Sequence, residues 1–317
     1  MIRKIAHYVD SKLTQDLARQ TLPSAGMVVA WYTNKENTAS VVHSHPYFEF
    51  ILPMMGEVLY SCNGGLYHVH PGELIAFPDE VYHMGRYDVS REVSERLLLQ
   101  VDQRLWREVA RKLGTPGFLT DREPVILKAD VVSTWDIRDL FLRIDRSSAM
   151  TPERREAAFR AQLAELMLIL QTCMSADATV SADATSALVD KAQKYIQVHY
   201  AEPTFSINQL TDYLYVSRSH ISRVFREYTM DSIHGYLTAL RLQHFKSSLG
   251  EGKSILDACT ESGFSDYSSF LKTFRKTYGI TPKEYRKRLL QNPEHSPVEA
   301  MSMRDVDTLP APIPPRA

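Results

Sequence analysis

The stretch SINQLTDYLYVSRSHISRVFREY, residues 206–228, and the stretch SILDACTESGFSDYSSFLKTFRKT, residues 254–277, are two copies of one motif. Each copy is predicted to form a short helix, a tight turn and a second helix. Ser206 holds the N-cap position of the first copy, and Gln209 at the N3 position completes a capping box. Ser254 begins the second copy in the same way. Two such helix pairs predict an all-α domain in this part of the chain.

The second helix of each copy carries the same amphipathic pattern in the same register. Ile221 and Phe225 recur 49 residues later as Phe270 and Phe274, on the apolar face of each helix. The opposite face carries cationic and hydroxyl side chains, which suit the base edges of a DNA major groove, and Arg223 is the best candidate for a guanine contact. The predicted DNA-binding residues are Arg218, Ser219, Ser222, Arg223, Arg226, Ser268, Ser269, Lys272 and Arg275.

A long helix is predicted to join the two copies, from Ser232 to Leu249. At 1.5 Å per residue this helix spans roughly 27 Å. Successive major grooves on one face of B-DNA lie about 34 Å apart. The two copies are therefore expected to reach two grooves of one duplex.

The second copy continues into a more specific pattern. It reads Gly263-Phe264-Ser265-Asp266, Phe270, Phe274-Arg275, Gly279, Thr281-Pro282 and Tyr285-Arg286. This pattern closely resembles the C-terminal DNA-binding domain of the AraC/XylS family of bacterial transcription regulators. The resemblance implies a regulator, more often an activator than a repressor, that binds double-stranded DNA as a homodimer and contacts RNA polymerase.

The first turn departs from that family's pattern. Tyr215 stands where glycine is usual, whereas the second turn keeps Gly263. A bulky residue at positive φ is an outlier. Either the first turn has a different shape, or Tyr215 packs against the domain instead of forming the turn.

Residues 27–101 show short apolar runs separated by turn signals such as Asn63-Gly64-Gly65 and Pro71-Gly72. The runs are Met27 to Tyr32, Phe48 to Leu52, Glu57 to Tyr60, Leu66 to Val69, Leu74 to Phe77 and Arg96 to Val101. Many short strands at this spacing predict an antiparallel β-barrel or jelly roll. The expected fold class is α+β, with helices trailing the barrel and the all-α domain behind them.

Two further clusters resemble the two sequence motifs of the cupin fold. The matching residues are His43, His45, Glu49, Gly56, Pro71-Gly72-Glu73, Pro78 and His83. In cupin metal enzymes such a set holds the ion, and imidazole with carboxylate suits a divalent first-row metal. In AraC-type sensors, the resemblance implies, the same positions contact an effector or pack the mouth of the barrel.

We therefore predict an effector site and treat a bound metal and pure packing as its alternatives. The predicted effector-binding residues are His43, His45, Glu49, His83, Trp31 and Tyr47. Sugars or sugar derivatives are the effector class that the resemblance implies, and aromatic acids come second. We expect no catalytic residue and no cofactor. The rival functions are a metal-dependent cupin enzyme fused to a DNA-binding module, and a constitutive DNA-binding protein with a structural cupin.

The predicted organisation has five parts: an arm and cupin-like sensor domain (1–101), helices that pack on the sensor and dimerise (102–174), a flexible linker (175–186), the DNA-binding domain (187–290) and a disordered tail (291–317).

The distribution of charged residues along the chain agrees with this division. Residues 186–290 carry 15 Lys and Arg against 10 Asp and Glu, whereas the rest carries 22 against 28. A basic segment that coincides with the repeated motif favours nucleic-acid binding.

The composition predicts a cytoplasmic protein that does not enter a membrane. The three cysteines, Cys62, Cys173 and Cys259, are scattered and form no C-x-x-C pair, which favours a reducing compartment. The first 20 residues lack the apolar segment of a signal peptide, and no apolar run approaches the roughly 18 residues of a membrane span.

Overall fold

A computed structural model of the chain describes residues 8–10, 26–34, 38–40, 42–88, 93–119, 123–175, 179–180, 184–291 and 303–305. The strands are β1 (Tyr8–Asp10), β2 (Met27–Asn34), β3 (Thr38–Ser40), β4 (Tyr47–Met55), β5 (Glu57–Cys62), β6 (Gly65–Val69), β7 (Leu74–Phe77), β8 (His83–Asp88), β9 (Ser94–Asp102), β10 (Val125–Leu127), β11 (Thr179–Val180), β12 (Ala184–Thr185) and β13 (Met303–Asp305). The helices are α1 (Gln103–Lys112), α2 (Ala129–Thr134), α3 (Ile137–Ser147), α4 (Pro152–Ser175), α5 (Ala187–His199), α6 (Ile207–Leu214), α7 (Arg218–Thr229), α8 (Ile233–Gly250), α9 (Ile255–Glu261), α10 (Tyr267–Tyr278) and α11 (Pro282–Gln291).

Two sheets form the cupin-like barrel. One runs in the order β1-β2-β9-β4-β7-β10-β11, and the other in the order β12-β6-β5-β8-β3-β13. Neighbouring strands are antiparallel except β1 and β2, which pair in parallel. All six strands predicted from apolar runs are present, so the fold class predicted from the sequence is confirmed. The sequence analysis missed β3, β8 and β10, which have no long apolar run.

Alternation along the central strands separates the two faces of the larger sheet. Trp31 on β2 and Leu97 on β9 point to the outer face, where they pack with the trailing helices α1, α3 and α4. Their neighbours Ala30 and Leu98 point inward and pack with Tyr60 in the barrel interior. The outer face is therefore a helix-covered core, and the inner face lines the barrel.

The trailing helices begin at Asp102, whose carboxylate caps α1 by accepting from the backbone N–H groups of Arg104 and Leu105. The amphipathic pattern of the sequence predicts a single helix from Ser133 to Asp145, and this prediction is wrong. The structure has two shorter helices, α2 and α3, because the backbone turns at Asp136 with a left-handed φ of 49°.

The sequence predicts a long helix with Pro152 at its N1 position, reaching to about Cys173. Helix α4 does begin at Pro152 and ends at Ser175. Its apolar stripe packs on the chain's own barrel, and Phe159, Leu163 and Leu170 are fully buried there. These side chains are not available to a second subunit. Leu168 on the same helix is half exposed, and dimerisation through the trailing helices stays a prediction.

The repeated motif forms two helix-turn-helix units, α6–α7 and α9–α10, joined by α8. The predicted capping box of α6 is present: the backbone N–H of Ser206 donates to Gln209 Oε1 at 2.7 Å, and the N–H of Gln209 donates back to Ser206 Oγ at 3.4 Å. Ser217, Ser254 and Asp266 cap α7, α9 and α10 with their side chains. Short helices with few long-range contacts depend on such caps, because unsatisfied N–H groups weaken their first turns.

Tyr215 and Gly263 both have a left-handed backbone, with φ of 54° and 81°. Their turns differ in shape, as one of the two alternatives predicted: Tyr215 is the C-cap of α6, whereas Gly263 follows Ser262, the C-cap of α9, whose φ is −80°. The Tyr215 side chain is 95% exposed, so the other alternative, that it packs against the domain, is wrong. Tyr215 is therefore an L-residue held in a strained backbone conformation.

Parts of the predicted arm, linker and tail pair with the barrel. Strand β1 from the arm extends the first sheet, and β13 from the tail pairs with β3. Within the predicted linker, β11 pairs with β10 and β12 pairs with β6, which corrects the expectation of a wholly flexible segment. Thr and Val favour strands, and β10 and β6 offer edges to pair with. Most of the arm and tail lies outside the described residues.

We expect opposite effects of substitution at the two turns. Gly263→Ala should lower the free energy of unfolding by about 3 kcal/mol, through left-handed strain and overpacking. The added Cβ would lie 2.6 Å from the carbonyl oxygen of Tyr200. Tyr215→Gly should raise the free energy of unfolding by about 0.5–1 kcal/mol, because the relieved strain exceeds the effect of the entropy that glycine adds to the unfolded chain.

Urea denaturation of the full chain, followed by far-UV circular dichroism, measures both effects. Tyr215→Ala is the control and should change little, because the ring is exposed and the strain is kept. If Tyr215→Gly destabilised the chain, the ring would have to make a contact that its exposure excludes.

Candidate functional site

The site begins with four side chains at one end of the barrel. His43 and His83 form an isolated bridge: the N–H of each donates to the carbonyl oxygen of the other, at 3.0 and 2.9 Å. His45 follows two residues later, and Glu49 lies on β4. The four ligand atoms, one from each side chain, lie within 4.8 Å of one another, and all four residues are buried. The structure thus brings together the two motifs predicted from the sequence.

Glu49 is the centre of this cluster. Its Oε2 lies 3.2 Å from Nε2 of His83 and 3.5 Å from Nε2 of His45. Its Oε1 accepts a hydrogen bond of 3.1 Å from the side-chain amide of Gln100. The same amide donates to the Tyr47 hydroxyl at 3.1 Å. Gln100 holds the carboxylate in place, and the sequence analysis missed it because a lone glutamine in an apolar strand carries no motif.

The backbone sets the tautomers of two imidazoles. Nδ1 of His45 lies 2.9 Å from the carbonyl oxygen of Tyr47, and Nδ1 of His83 lies 2.9 Å from that of Val81. A carbonyl only accepts hydrogen bonds, so each Nδ1 must carry the proton. In a neutral ring Nε2 then presents a lone pair to the Glu49 carboxylate. The contact requires either a second proton on the ring or a cation between the groups.

The carboxylate of Glu49 is charged. Burial by itself would raise its pKa, but the positive charge of His45 and the hydrogen bonds from His45 and His83 hold the pKa well below the usual range. A buried anion needs compensation by positive charge and hydrogen bonds. The cluster therefore holds an ionised carboxylate beside imidazole N–H groups, and it is suited to ligands that donate and accept hydrogen bonds.

The donor set fits a divalent first-row metal ion. Three imidazole nitrogens and one carboxylate oxygen are the ligand types that such ions prefer. The four ligand atoms lie within 4.8 Å of one another, so His43, His45, Glu49 and His83 would be the residues that hold such an ion. The carbonyl contacts of His45 and His83 orient their rings as outer-shell partners do in metal sites. A bound ion would supply the positive charge that Glu49 requires.

The two aromatic residues predicted for the effector site have different locations. Tyr47 belongs to the cluster, because its ring stacks on His45 with a centroid distance of 3.8 Å. Trp31 does not belong to it. It lies on the outer, helix-covered face of β2, with 6% of its surface exposed. Its assignment to the effector site is therefore wrong, because strand alternation directs it away from the barrel interior.

The cluster is connected to the helical domain. Ser44 lies between His43 and His45, and the side chain of Gln243 on α8 bonds to it three times. The Gln243 amide donates to the Ser44 carbonyl at 2.7 Å and to Oγ at 2.8 Å, and its oxygen accepts from the Ser44 N–H at 3.1 Å. A second contact lies nearby, where Ser61 Oγ donates to the Tyr228 carbonyl at 2.7 Å. No local sequence signal predicts these contacts.

The predicted DNA-binding residues lie on the outer faces of α7 and α10. Arg218, Ser219, Arg223, Arg226, Ser268, Ser269, Lys272 and Arg275 are exposed. Ser222 is half buried, in the wall of a groove of about 550 Å³ that Arg226 and His234 also line. Arg223 is 68% exposed and pairs with Glu227 at 3.2 Å. An exposed pair of this kind is weak, so the guanidinium can leave Glu227 for another acceptor.

The chain belongs to the family defined by an AraC-like ligand binding domain, whose pattern matches residues 28–188. A helix-turn-helix domain pattern matches residues 210–288. The first match covers the barrel and the trailing helices, and the second covers both helix-turn-helix units. The family resemblance seen in the sequence is thus confirmed.

Named relatives match about a third of the chain. An uncharacterized HTH-type transcriptional regulator of Staphylococcus aureus strain COL is 34% identical over 99 residues, 31% of this chain and 13% of the relative. The Msm operon regulatory protein of Streptococcus mutans is 31% identical over 113 residues, 35% of this chain and 40% of the relative. The chain therefore spans less than half the length of these relatives.

Among solved structures, ToxT from Vibrio cholerae strain SCE256 is similar, with a TM-score of 0.42 and 12% identity, covering 84% of this chain and 97% of that chain. None of the helices in the described part of the chain combines the length and the apolar character needed to cross a lipid bilayer.

We expect Arg223→Ala to weaken binding to specific DNA by about 1–3 kcal/mol, because a guanidinium on the reading face discriminates bases. Fluorescence anisotropy measures this, with a duplex that the protein selects from a random-sequence pool and a random duplex for comparison. Arg143→Ala is the control, since Arg143 is half exposed on the sensor and pairs with Glu165. Equal weakening on both duplexes would assign Arg223 to a phosphate contact instead.

Proposed function

We propose that the chain is a cytoplasmic, sequence-specific DNA-binding transcription regulator that responds to a small molecule bound in its barrel. The observation that carries the DNA-binding part is the pair of capped helix-turn-helix units with exposed cationic faces on α7 and α10. Lys and Arg on these faces would bind phosphates and base edges of double-stranded DNA. Salt should weaken this binding steeply, because counterions are released when phosphates are neutralised.

The effector site is the cluster of His43, His45, Glu49 and His83, with Tyr47 and Gln100 beside it. A charged carboxylate among imidazoles offers both acceptors and donors, which suits a ligand with hydroxyl groups. The family resemblance supports a sugar or sugar derivative as effector, with aromatic acids as the second class. It also supports activation rather than repression, a homodimer as the active form and contact with RNA polymerase. No catalytic activity is part of the proposal.

Ser44 supports a route from the effector site to the DNA-binding units. A ligand that moves His43 or His45 also moves Ser44, which is bonded to Gln243 on the helix between the two units. Such coupling requires a contact that differs between the ligand-free and ligand-bound states. The three hydrogen bonds of Gln243 are the contact that we assign to this role.

A double-mutant cycle tests the coupling without knowledge of the effector. Glu49→Gln removes the central charge of the cluster, and we expect it to change the affinity for the selected duplex in the wild-type background. In a Gln243→Leu background the same substitution should have no effect, so the interaction energy should be at least about 0.5 kcal/mol. The affinities are measured by fluorescence anisotropy, and circular dichroism verifies that each variant is folded.

Gln197→Leu is the matched control, because the side-chain hydrogen bond of Gln197 goes to the Tyr236 hydroxyl within the helical domain and not to the loop around Ser44. It should leave the effect of Glu49→Gln unchanged. An equal effect of Glu49→Gln in the wild-type and Gln243→Leu backgrounds would contradict the proposed route.

The second candidate is a metal-dependent cupin enzyme fused to the DNA-binding module. The four ligand atoms within 4.8 Å favour it. Metal analysis of protein purified without a chelator separates the candidates. For the proposed regulator we expect substoichiometric metal, whereas one iron or manganese ion per chain, lost in Glu49→Gln, would support the enzyme.

A further inference from the structure

A second polar group lies in the barrel interior, away from the histidine cluster. Arg96 on β9 is 2% exposed. Its guanidinium carbon lies 3.8 Å from the ring centroid of Tyr87 and 4.8 Å from that of Tyr32. Its Nη1 donates one hydrogen bond, of 2.9 Å, to Asn34 Oδ1. Within the described ranges, no carboxylate forms an ion pair with Arg96.

This environment satisfies neither the hydrogen-bonding capacity nor the charge of a guanidinium. Arginine stays charged and offers five N–H donors, and a buried charge is costly unless it is paired and hydrogen-bonded. Two ring faces offset only part of that cost. The phenols cannot serve as counter-ions, because burial raises the pKa of Tyr32 to about 12 and also raises the pKa of Tyr87, although the charge of Arg96 opposes both shifts.

Ser94 provides an independent observation at the same place. It lies two residues before Arg96 on β9, so strand alternation directs both side chains to the barrel interior. It pairs across the sheet with Asn34, the residue that Arg96 contacts. The Ser94 side chain is 1% exposed, and its Oγ has no hydrogen-bond partner in the part of the chain that the structure describes. A buried hydroxyl without a partner requires an explanation.

We propose that Arg96 and Ser94, with Asn34 beside them, bind the carboxylate of a small monocarboxylic acid. A planar carboxylate matches the guanidinium fork with two parallel hydrogen bonds, and the serine hydroxyl donates a further one. Tyr32, which flanks Arg96, is partly exposed, and a ligand would enter the barrel beside it.

The charges in the barrel favour a single negative charge on the ligand. Arg96 is a single cation, and its one protein hydrogen bond goes to the neutral side chain of Asn34. A phosphate dianion would meet too little positive charge there. Val58, which pairs with Tyr87 between β5 and β8, and Leu98, two residues after Arg96 on β9, are apolar. An acid with an aromatic or short apolar body therefore fits better than a polyhydroxylated one.

The role of this site as an effector site rests on the proposed function. Of the two effector classes named there, sugars and aromatic acids, the site favours the acids.

Carboxylate binding itself is tested on the full chain with benzoate as the probe. Benzamide, the neutral isostere of benzoate, and inorganic phosphate serve as comparisons. We expect saturating benzoate to raise the Tm by about 5 °C, by mass action on the folded state. Benzamide and phosphate should leave the Tm unchanged.

Variants assign the binding to the two residues. Arg96→Met keeps an unbranched stem and removes the charge, so titration calorimetry should show benzoate affinity reduced on the order of 100-fold or more. Its ligand-free Tm should equal or exceed that of the wild type, because an unpaired buried charge has been removed. Ser94→Ala should weaken binding roughly 5- to 10-fold. Arg107→Met, at an exposed ion pair with Asp79, is the control and should change neither quantity.

Two results would overturn the proposal. Benzoate could bind Arg96→Met as tightly as wild type, or benzoate could leave the Tm of the wild type unchanged while Arg96→Met lowers it, which would make Arg96 a structural residue. Binding of the same preparations to the selected DNA duplex separates this failure from failure of the proposed function. If the protein binds specific DNA but not benzoate, only the carboxylate site is contradicted. If it does not bind specific DNA, the proposed function as a regulator is contradicted.

Discussion

The two-residue alternation of the central strands β2, β9 and β4 is the constraint on which the rest of the sensor depends. One face of these strands must be apolar along its whole length, because helices α1, α3 and α4 cover it. The other face lines the barrel and is free to carry polar groups between its apolar layers. Glu49, Gln100 and Arg96 all lie on this inner face. A shift of one residue in any of these strands would put those charges into the helix-covered core.

The barrel interior consequently holds two opposite charges at different depths. Glu49 is compensated by imidazoles from the loop before β4 and from the start of β8. Arg96 is four residues away from Gln100 along β9, about 13 Å at strand spacing, and is compensated mainly by aromatic faces. Neither charge contributes to hydrophobic packing, and the incompletely paired charge of Arg96 lowers the stability of an empty barrel. Features of this kind are typical of binding sites, since a purely structural core would replace them with apolar residues.

Much of the fold could be predicted from the sequence, because the signals for it are local. Caps and apolar stripes define α6, α7, α9 and α10, and the spacing of His43, His45 and Glu49 already indicates their cluster. Three features could not be predicted this way. The phase of β2 decides that Trp31 points outward, and a single strand does not reveal its phase when both faces are apolar. The break at Asp136 depends on packing around it, and the pairing of Gln243 with Ser44 joins residues 199 positions apart.

The contact between Gln243 and Ser44 has a consequence for how such a protein changes over generations. Two of its three hydrogen bonds go to the backbone N–H and C=O of residue 44 and not to its side chain. The contact with the helical domain therefore depends on the backbone position of the loop around Ser44. It depends little on which side chains this loop carries. Substitutions on either side of residue 44 can change which ligand the barrel binds while the hydrogen bonds between Gln243 and the backbone of residue 44 remain. The ligand specificity of the sensor can thus evolve without a change in the contact between the two domains.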